Sequence, residues 1–211
     1  MTRKPALRSP EHPILSLARS RGVLRTQDVI AAGQSRVALA KLVSAGSLAK
    51  LGRGLYALPG RQFSEHGALA EVAVRSAQGV VCLISALRFH DLTTQQSAQV
   101  WLSIPHKAHA PKLDYPPLRV VHMSGPAMTE GIEKVQIDGV GVRVFGVAKT
   151  VADCFKFRNK IGLDVALEAL EEAWSARRTS TDDLWHYAQI CRVANVMRPY
   201  METLGRKAVT K

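Results

Sequence analysis

Acidic residues, cysteines and long hydrophobic runs are all scarce in this 211-residue sequence. The chain has 17 Asp and Glu against 29 Lys and Arg, which gives a formal net charge of +12. Its three cysteines, Cys82, Cys154 and Cys191, are odd in number and lack CxxC spacing. They exclude a fully paired disulfide framework and favour reduced, buried thiols. No apolar run approaches the roughly 18 residues that a membrane-spanning helix needs, so we expect no membrane association.

The residues that are present favour a globular protein. Hydrophobic residues make up 46% of the chain and charged residues 22%, and the length suits one domain or two small ones. The first residues, MTRKPALRSPEHP, are basic, but neither an apolar segment nor a small-residue cleavage site follows. We therefore expect no secretory signal and a cytoplasmic protein.

The positive charge is concentrated near the N-terminus. Residues 1–61 carry 11 Lys and Arg but only Glu11 and Asp28 as acids, whereas residues 62–211 carry 18 basic and 15 acidic residues. A basic surface of this density attracts polyanions. We therefore expect a DNA-binding N-terminal domain, residues 1–61, and a second domain, residues 62–211.

The first domain is predicted to be a winged helix-turn-helix. Apolar spacing predicts a helix from Pro13 that ends at Gly22, and Val23–Thr26 is extended, with Thr26 as the N-cap of a second helix. Ser35 is predicted to cap a third helix. Two short strands, LAKLG and GLYAL, then follow and turn at Arg53. In such modules the last helix enters the major groove and the hairpin contacts an adjacent groove or the backbone.

The third helix divides into two predicted faces. Leu39, Leu42 and Val43 form a core stripe. We expect the opposite face to contact DNA, with Arg36 at a base edge, Lys41 at a phosphate, and Val37 and Ala40 able to meet a thymine methyl group. The predicted DNA-contacting residues are Thr26, Gln34, Ser35, Arg36, Val37, Ala40, Lys41, Ser44, Lys50 and Arg53.

Four motifs in this region resemble the N-terminal domain of AbiEi-family antitoxins, from AbiE-type (type IV) abortive-infection toxin–antitoxin systems. They are G-V-L-x-T, A-A-G-x-S-R-x-A-L, L-V-x-x-G-x-L and the closing G-R-G-x-Y-A-L-P-G. The resemblance implies a domain that binds inverted repeats at the promoter of its own operon and represses it.

The remainder of the chain is predicted to be an α+β domain. Segments around VVCLI, AQVWLSIP, LRVVHMS, EKVQIDG and VRVFG form its β-rich part, and PHKAHAPKLDYPP is a long loop. A helix capped by Ser64 is expected before them. Several helices follow from Val147, an order that favours α+β over alternating βαβ units.

This part also resembles the C-terminal domain of the same family. The matching runs are SALRFHDL, VWLSIP, AKTVADCFKFRNKIGLDVALEAL and MRPYMETL. The resemblance implies that this domain neutralises a nucleotidyltransferase-like toxin. Direct binding, toxin modification and action without a stable complex all remain open as mechanisms.

Enzymatic sites are not favoured by the sequence. His106, His109 and His122 lack a suitably spaced fourth ligand for a closed zinc site, and His90 is better suited to a core hydrogen bond or a cap than to general-base catalysis. A nuclease would need clustered carboxylates and a lysine. The nearest candidates are Asp114 and the neighbouring pair Glu133–Lys134, and neighbours on a strand point to opposite faces. We therefore predict a non-enzyme without a metal or cofactor.

Two charged segments of the second domain have open interpretations. Asp164, Glu168, Glu171 and Glu172 lie on the acidic face of a predicted amphipathic helix, which is either solvated or a partner surface. Lys156, Arg158 and Lys160 form a basic patch that can face DNA, a toxin or solvent. The alternatives to an antitoxin that represses its own promoter are an orphan winged-helix regulator and a winged-helix-targeted DNA-processing enzyme.

Overall fold

A computed structural model describes residues 12–52, 54–60, 64–113 and 115–209 of the chain. The predicted α+β class is confirmed, because these residues form helices and two separate sheets. Two compact units are present. One comprises the described residues up to Gly67 together with Gln136–Val140, and the other comprises Ala68–Val135 and the residues from Gly141 onward.

The N-terminal unit begins with three short helices. Its elements are α1 Pro13–Arg21, β1 Val23–Arg25, α2 Thr26–Ala31, α3 Arg36–Ser44, β2 Ala49–Gly52 and β3 Leu55–Ala57. The three strands form an antiparallel sheet in the order β1-β3-β2. The predicted helices and strands of this region are therefore present in the predicted order.

A small core holds the helices of this unit against its sheet. Its buried members are Ile14, Ala18, Leu24, Val29, Leu39 and Leu48. Each described helix of the unit supplies at least one of these side chains. Burial of apolar surface, at about 25 cal/mol per Å², is the main term that stabilises such a core.

Local capping agrees with the sequence at two helices and differs at one. Gly22, with φ of 79°, ends α1, and Ser35 caps α3. The prediction that Thr26 caps α2 is wrong by one residue, since Thr26 is the first helical residue and Arg25 is the N-cap. The Asp28 carboxylate accepts from the Arg25 N–H at 2.9 Å, so an acid three residues along replaces the expected hydroxyl cap.

The second unit is organised around a five-stranded sheet. The strands are β4 Val80–Val81, β5 Val100–Pro105, β6 Leu118–Met123, β7 Ile132–Ile137 and β8 Val140–Phe145, in the order β6-β5-β4-β8-β7. β4 pairs antiparallel with β5 and parallel with β8, and β5 pairs parallel with β6. The predicted β-rich part and its long loop are both present.

Helices follow the predicted order in this unit. They are α4 Gly67–Arg75, α5 Leu83–Phe89, α6 Pro126–Thr129, α7 Val147–Lys156, α8 Arg158–Ile161, α9 Leu163–Ser175, α10 Thr181–Ile190 and α11 Ala194–Val209. Ser64 is not the N-cap of α4 as predicted, because α4 begins at Gly67, three residues further along the chain; the Ser64 hydroxyl donates to the Asp138 carboxylate at 3.1 Å.

Helix α7 occupies the centre of the core of the second unit. All its residues from Ala148 to Phe155 are buried. It packs against α5, α9, α10 and α11. No helix among the described residues is both long and apolar enough to span a bilayer.

Candidate nucleic-acid interface

Helix α3 has the two faces that its sequence predicts. Leu39 is buried at 2% exposure, and Leu42 and Val43 are half-buried against the same core. The opposite face is exposed along the whole helix. Its side chains are Arg36, Val37, Ala40, Lys41 and Ser44. Ala40 and Ser44 are small, so this face permits close approach of the helix backbone to a flat or grooved partner.

The N-terminus of α3 keeps a free polar group on its surface. Ser35 is exposed, and its hydroxyl oxygen accepts from the Ala38 N–H at 3.0 Å. A hydroxyl that accepts in this way still has its own hydrogen to donate. Gln34 is half-buried, and its backbone N–H donates to the Val29 carbonyl at 3.0 Å. Both residues therefore lie at the turn between α2 and α3, where Gly33 adopts φ of 73°.

The β2–β3 hairpin lies close to the start of α2. The Thr26 N–H donates to the Gly54 carbonyl at 3.0 Å, and Thr26 is half-buried. Lys50 on β2 is exposed and lies opposite Tyr56 in the ladder. Arg53, predicted at the hairpin tip, lies outside the described residues. Thr26 therefore contacts the hairpin, and Lys50 is part of it.

The electrostatics of this surface are of one sign. No Asp or Glu occurs between Asp28 and Glu65, whereas Arg36, Lys41 and Lys50 are exposed. Asp28 itself is engaged, because one carboxylate oxygen pairs with Arg21 Nη1 at 2.9 Å and the other accepts from the Arg25 N–H. Among the described residues, Arg36, Lys41 and Lys50 form no ion pair with an acid, an arrangement that attracts a polyanion.

The second basic patch is partly engaged in local contacts. Arg158 Nη1 donates to the Phe155 carbonyl at 2.8 Å, which places this guanidinium at the end of α7. Lys160 Nζ lies 5.7 Å from the centre of the Phe157 ring, within the range of a cation–π contact. Lys156 is half-buried. The role of this patch stays a prediction.

The side chains weighed for catalysis are placed as follows. His90 is buried at 4% exposure and its Nε2 lies 2.8 Å from the Phe145 carbonyl, which confirms a core hydrogen bond. Burial lowers its pKa. Glu133 and Lys134 are adjacent and exposed on β7, and Asp114 lies outside the described residues. Within the part of the chain that the structure describes, no three His, Cys, Asp or Glu side chains gather into a metal-binding group.

Sequence reasoning missed a buried polar array in the second unit. Lys149 and Asp153 on α7 are both fully buried and form an ion pair at 2.5 Å. Cys191, at the end of α10, donates its thiol to the other Asp153 oxygen at 3.2 Å. Lys149 Nζ also lies 3.9 Å from the centre of the Phe145 ring. The four-residue spacing of Lys149 and Asp153 on a helix is the signal that would have revealed the pair.

Comparison with known proteins finds a family model that is similar to the N-terminal segment. Residues 12–59 match a model of transcriptional regulators. The family within that class is described as "Transcriptional regulator, AbiEi antitoxin". The match spans α1 to β3, so it contains the candidate interface, and it confirms the AbiEi resemblance for this segment.

The fold has a counterpart among solved structures. The crystal structure of the RV2827C protein from Mycobacterium tuberculosis matches with a TM-score of 0.53 at 16% sequence identity. The match covers 90% of this chain and 78% of that chain. At this identity the likeness concerns the fold alone. No curated protein shows significant sequence similarity to the chain.

Proposed function

We propose that the protein is an antitoxin that also represses its own promoter by sequence-specific DNA binding. The N-terminal unit then acts as a winged helix-turn-helix, with α2 and α3 as the helix-turn-helix and the β2–β3 hairpin as the wing. The family described for residues 12–59 includes both transcriptional regulation and antitoxin activity, which supports the two parts of the proposal.

The observation that carries the DNA-binding part is the exposed face of α3. Arg36, Val37, Ala40, Lys41 and Ser44 are all exposed on a helix whose other face enters the core. An α-helix of this width fits the major groove of B-DNA. No Asp or Glu occurs between Asp28 and Glu65, so the segment that contains α3 has no like charge of its own that would repel a phosphate.

Each exposed side chain then has a separate role. Arg36, at the first turn of α3, reads a base edge, while Lys41 and Lys50 contact phosphates. Ser35 donates its hydroxyl hydrogen to a phosphate beside the helix N-terminus. Gln34 lies next to Ser35, and Thr26 lies beside the hairpin at Gly54. Affinity for DNA arises mainly from the release of counterions when Lys and Arg neutralise phosphates, and sequence preference arises from contacts of α3 with base edges.

The antitoxin part concerns the second unit. We propose that it counteracts a nucleotidyltransferase-like toxin, on the basis of the motifs it shares with the family's C-terminal domain. The description of the family as regulator and antitoxin suggests a protein without catalytic activity of its own. The operator is proposed to contain inverted repeats, each half bound by one N-terminal unit.

Binding to the DNA directly upstream of the gene tests the repressor part. We expect the full chain to shift this fragment, with an affinity that falls steeply between about 50 and 200 mM salt. A scrambled fragment of equal length and composition serves as the control. Equal affinity for both fragments at every salt concentration would contradict sequence-specific repression. Specific binding by a protein whose gene has no toxin gene beside it would favour an orphan regulator over an antitoxin.

A further inference from the structure

The exposed face of α3 contains one large apolar side chain among cations and small residues. Val37 is exposed over 66% of its surface, more than any other large hydrophobic side chain of the N-terminal unit within the described residues. Valine also has a lower helix propensity than alanine or a straight-chain residue. Neither core packing nor helix formation therefore accounts for a valine at this position.

The neighbours of Val37 define the kind of partner that can cover it. Residues three, four and seven positions along a helix share its face, and here these are Ala40, Lys41 and Ser44. Arg36 precedes Val37 and is exposed as well. The apolar side chain thus lies between two cations, on a face whose small residues permit close approach. An uncharged protein groove that takes Val37 would leave both cations unpaired, whereas DNA supplies phosphates for them beside the apolar groups of its bases.

We infer that Val37 recognises the C5-methyl group of a pyrimidine in the major groove of the operator. The inference rests on the proposed DNA binding and names the chemical group that is read. In the major groove, the C5-methyl group of thymine is the apolar feature of a base pair, and an aliphatic side chain is its natural partner. Cytosine methylated at C5 presents the same group. Repression is therefore sensitive to cytosine methylation wherever a cytosine occupies this position.

Replacement of thymine by deoxyuridine tests the inference, because it removes the methyl group and leaves every hydrogen-bonding atom of the base in place. A footprint of the full chain on its upstream DNA first locates the thymines that the protein covers. The full chain is then titrated against versions of this DNA in which each covered thymine is replaced by deoxyuridine in turn. We expect one or two thymines per half-site at which the replacement weakens binding about three- to five-fold, the effect of one buried methyl-sized group. Val37→Ala should weaken binding to thymine DNA and abolish the difference between thymine and uracil there.

Matched controls separate this contact from general effects. Leu163→Ala removes another partly exposed apolar side chain, from the second unit, and should leave the thymine-to-uracil ratio unchanged. At a position changed to cytosine, C5-methylation should strengthen binding of the wild-type chain and leave binding of Val37→Ala unaffected. Val37→Ala should melt at the wild-type temperature or slightly above it, because the side chain is exposed and alanine has the higher helix propensity.

The possible failures are distinguishable. If the chain prefers its upstream DNA but binds thymine and uracil versions equally, the methyl contact is wrong and the repressor proposal stands. The same conclusion follows if Val37→Ala still distinguishes the two bases at each position. If the wild-type chain shows no preference for its upstream DNA, the repressor proposal fails and the inference fails with it.

Discussion

Arg36 is the residue on which sequence preference should depend most. It is exposed at the first turn of α3, next to the capped helix N-terminus. We predict that Arg36→Ala costs about 1–3 kcal/mol of binding free energy at one base position and relaxes preference there. Binding of the wild type and the variant to an operator library measures this. A uniform loss over all sequences would show that Arg36 contacts a phosphate instead.

Lys50 should behave in the opposite way. Its side chain is exposed on β2, where Lys50 lies opposite Tyr56 in the ladder. We predict that Lys50→Ala weakens binding to operator and scrambled DNA alike and lowers the slope of log affinity against log salt by about 1. Lys107→Ala, at an exposed lysine of the second unit outside the Lys156–Lys160 patch, is the matched control and should keep the wild-type slope. A loss confined to the operator would contradict a phosphate contact.

At the scale of single residues, the sequence predicted exposure well and capping less well. The period of apolar side chains separates Leu39 from Val37 and Lys41, and both faces are where it places them. Thr26 was misassigned because a hydroxyl before an apolar segment resembles an N-cap, and only the positions of Arg25 and Asp28 in the fold show otherwise. Which residue becomes the N-cap of α2 depends on tertiary contacts that the local sequence pattern does not specify.

At the scale of elements, the ion pair inside α7 makes the stability of the second unit sensitive to the loss of either partner. Lys149 and Asp153 are both fully buried, and Asp153 also accepts from the Cys191 thiol. Removal of one partner leaves the other charge buried and unpaired. We predict that Lys149→Met lowers the free energy of unfolding by about 3–5 kcal/mol, measured by urea denaturation. The double variant Lys149→Met/Asp153→Leu should recover a large part of this loss.

The same pair gives a pH dependence of known sign. Burial raises the pKa of Asp153 above its ordinary value, and Lys149 opposes this shift. A raised folded-state pKa contributes stability below about pH 4 that is lost as the pH rises through the folded value. Without Lys149 the pKa rises further, so the deficit of Lys149→Met should grow from about pH 4 towards neutrality. A deficit independent of pH would show that packing alone causes the loss.

The order of elements was predictable where the chain alternates between clear periods and turn residues. The strands β5 to β8 and the helices α7, α9, α10 and α11 follow from their apolar spacing and flanking Gly and Pro residues, whereas the short helix α8 was not predicted. The pairing of β4 with both β5 and β8 did not follow, because β4 is only two residues long and its partners lie far along the chain. Short strands contain too little pattern to specify their neighbours.

At the scale of the whole molecule, the two proposed activities should separate. The exposed cations of the N-terminal unit are remote in sequence from the runs of the second unit that were interpreted as similar to the family's C-terminal domain. We predict that the Arg36→Ala/Lys50→Ala variant no longer represses a promoter reporter but still protects cells that express the proposed nucleotidyltransferase-like toxin. Plate growth and reporter activity measured in the same strain provide the comparison. Loss of protection at equal protein levels would show that DNA binding is needed for neutralisation.

The three cysteines give the second unit an internal reporter of its own opening. Cys82, Cys154 and Cys191 are buried, and burial raises the pKa of each thiol, that of Cys191 to about 12. The thiolate is the form of cysteine that attacks a maleimide, so native protein should react very slowly. Pulsed labelling with a maleimide should therefore follow transient unfolding of this unit, with no engineered probe. Faster labelling in Lys149→Met would connect the buried charge directly to the frequency of these openings.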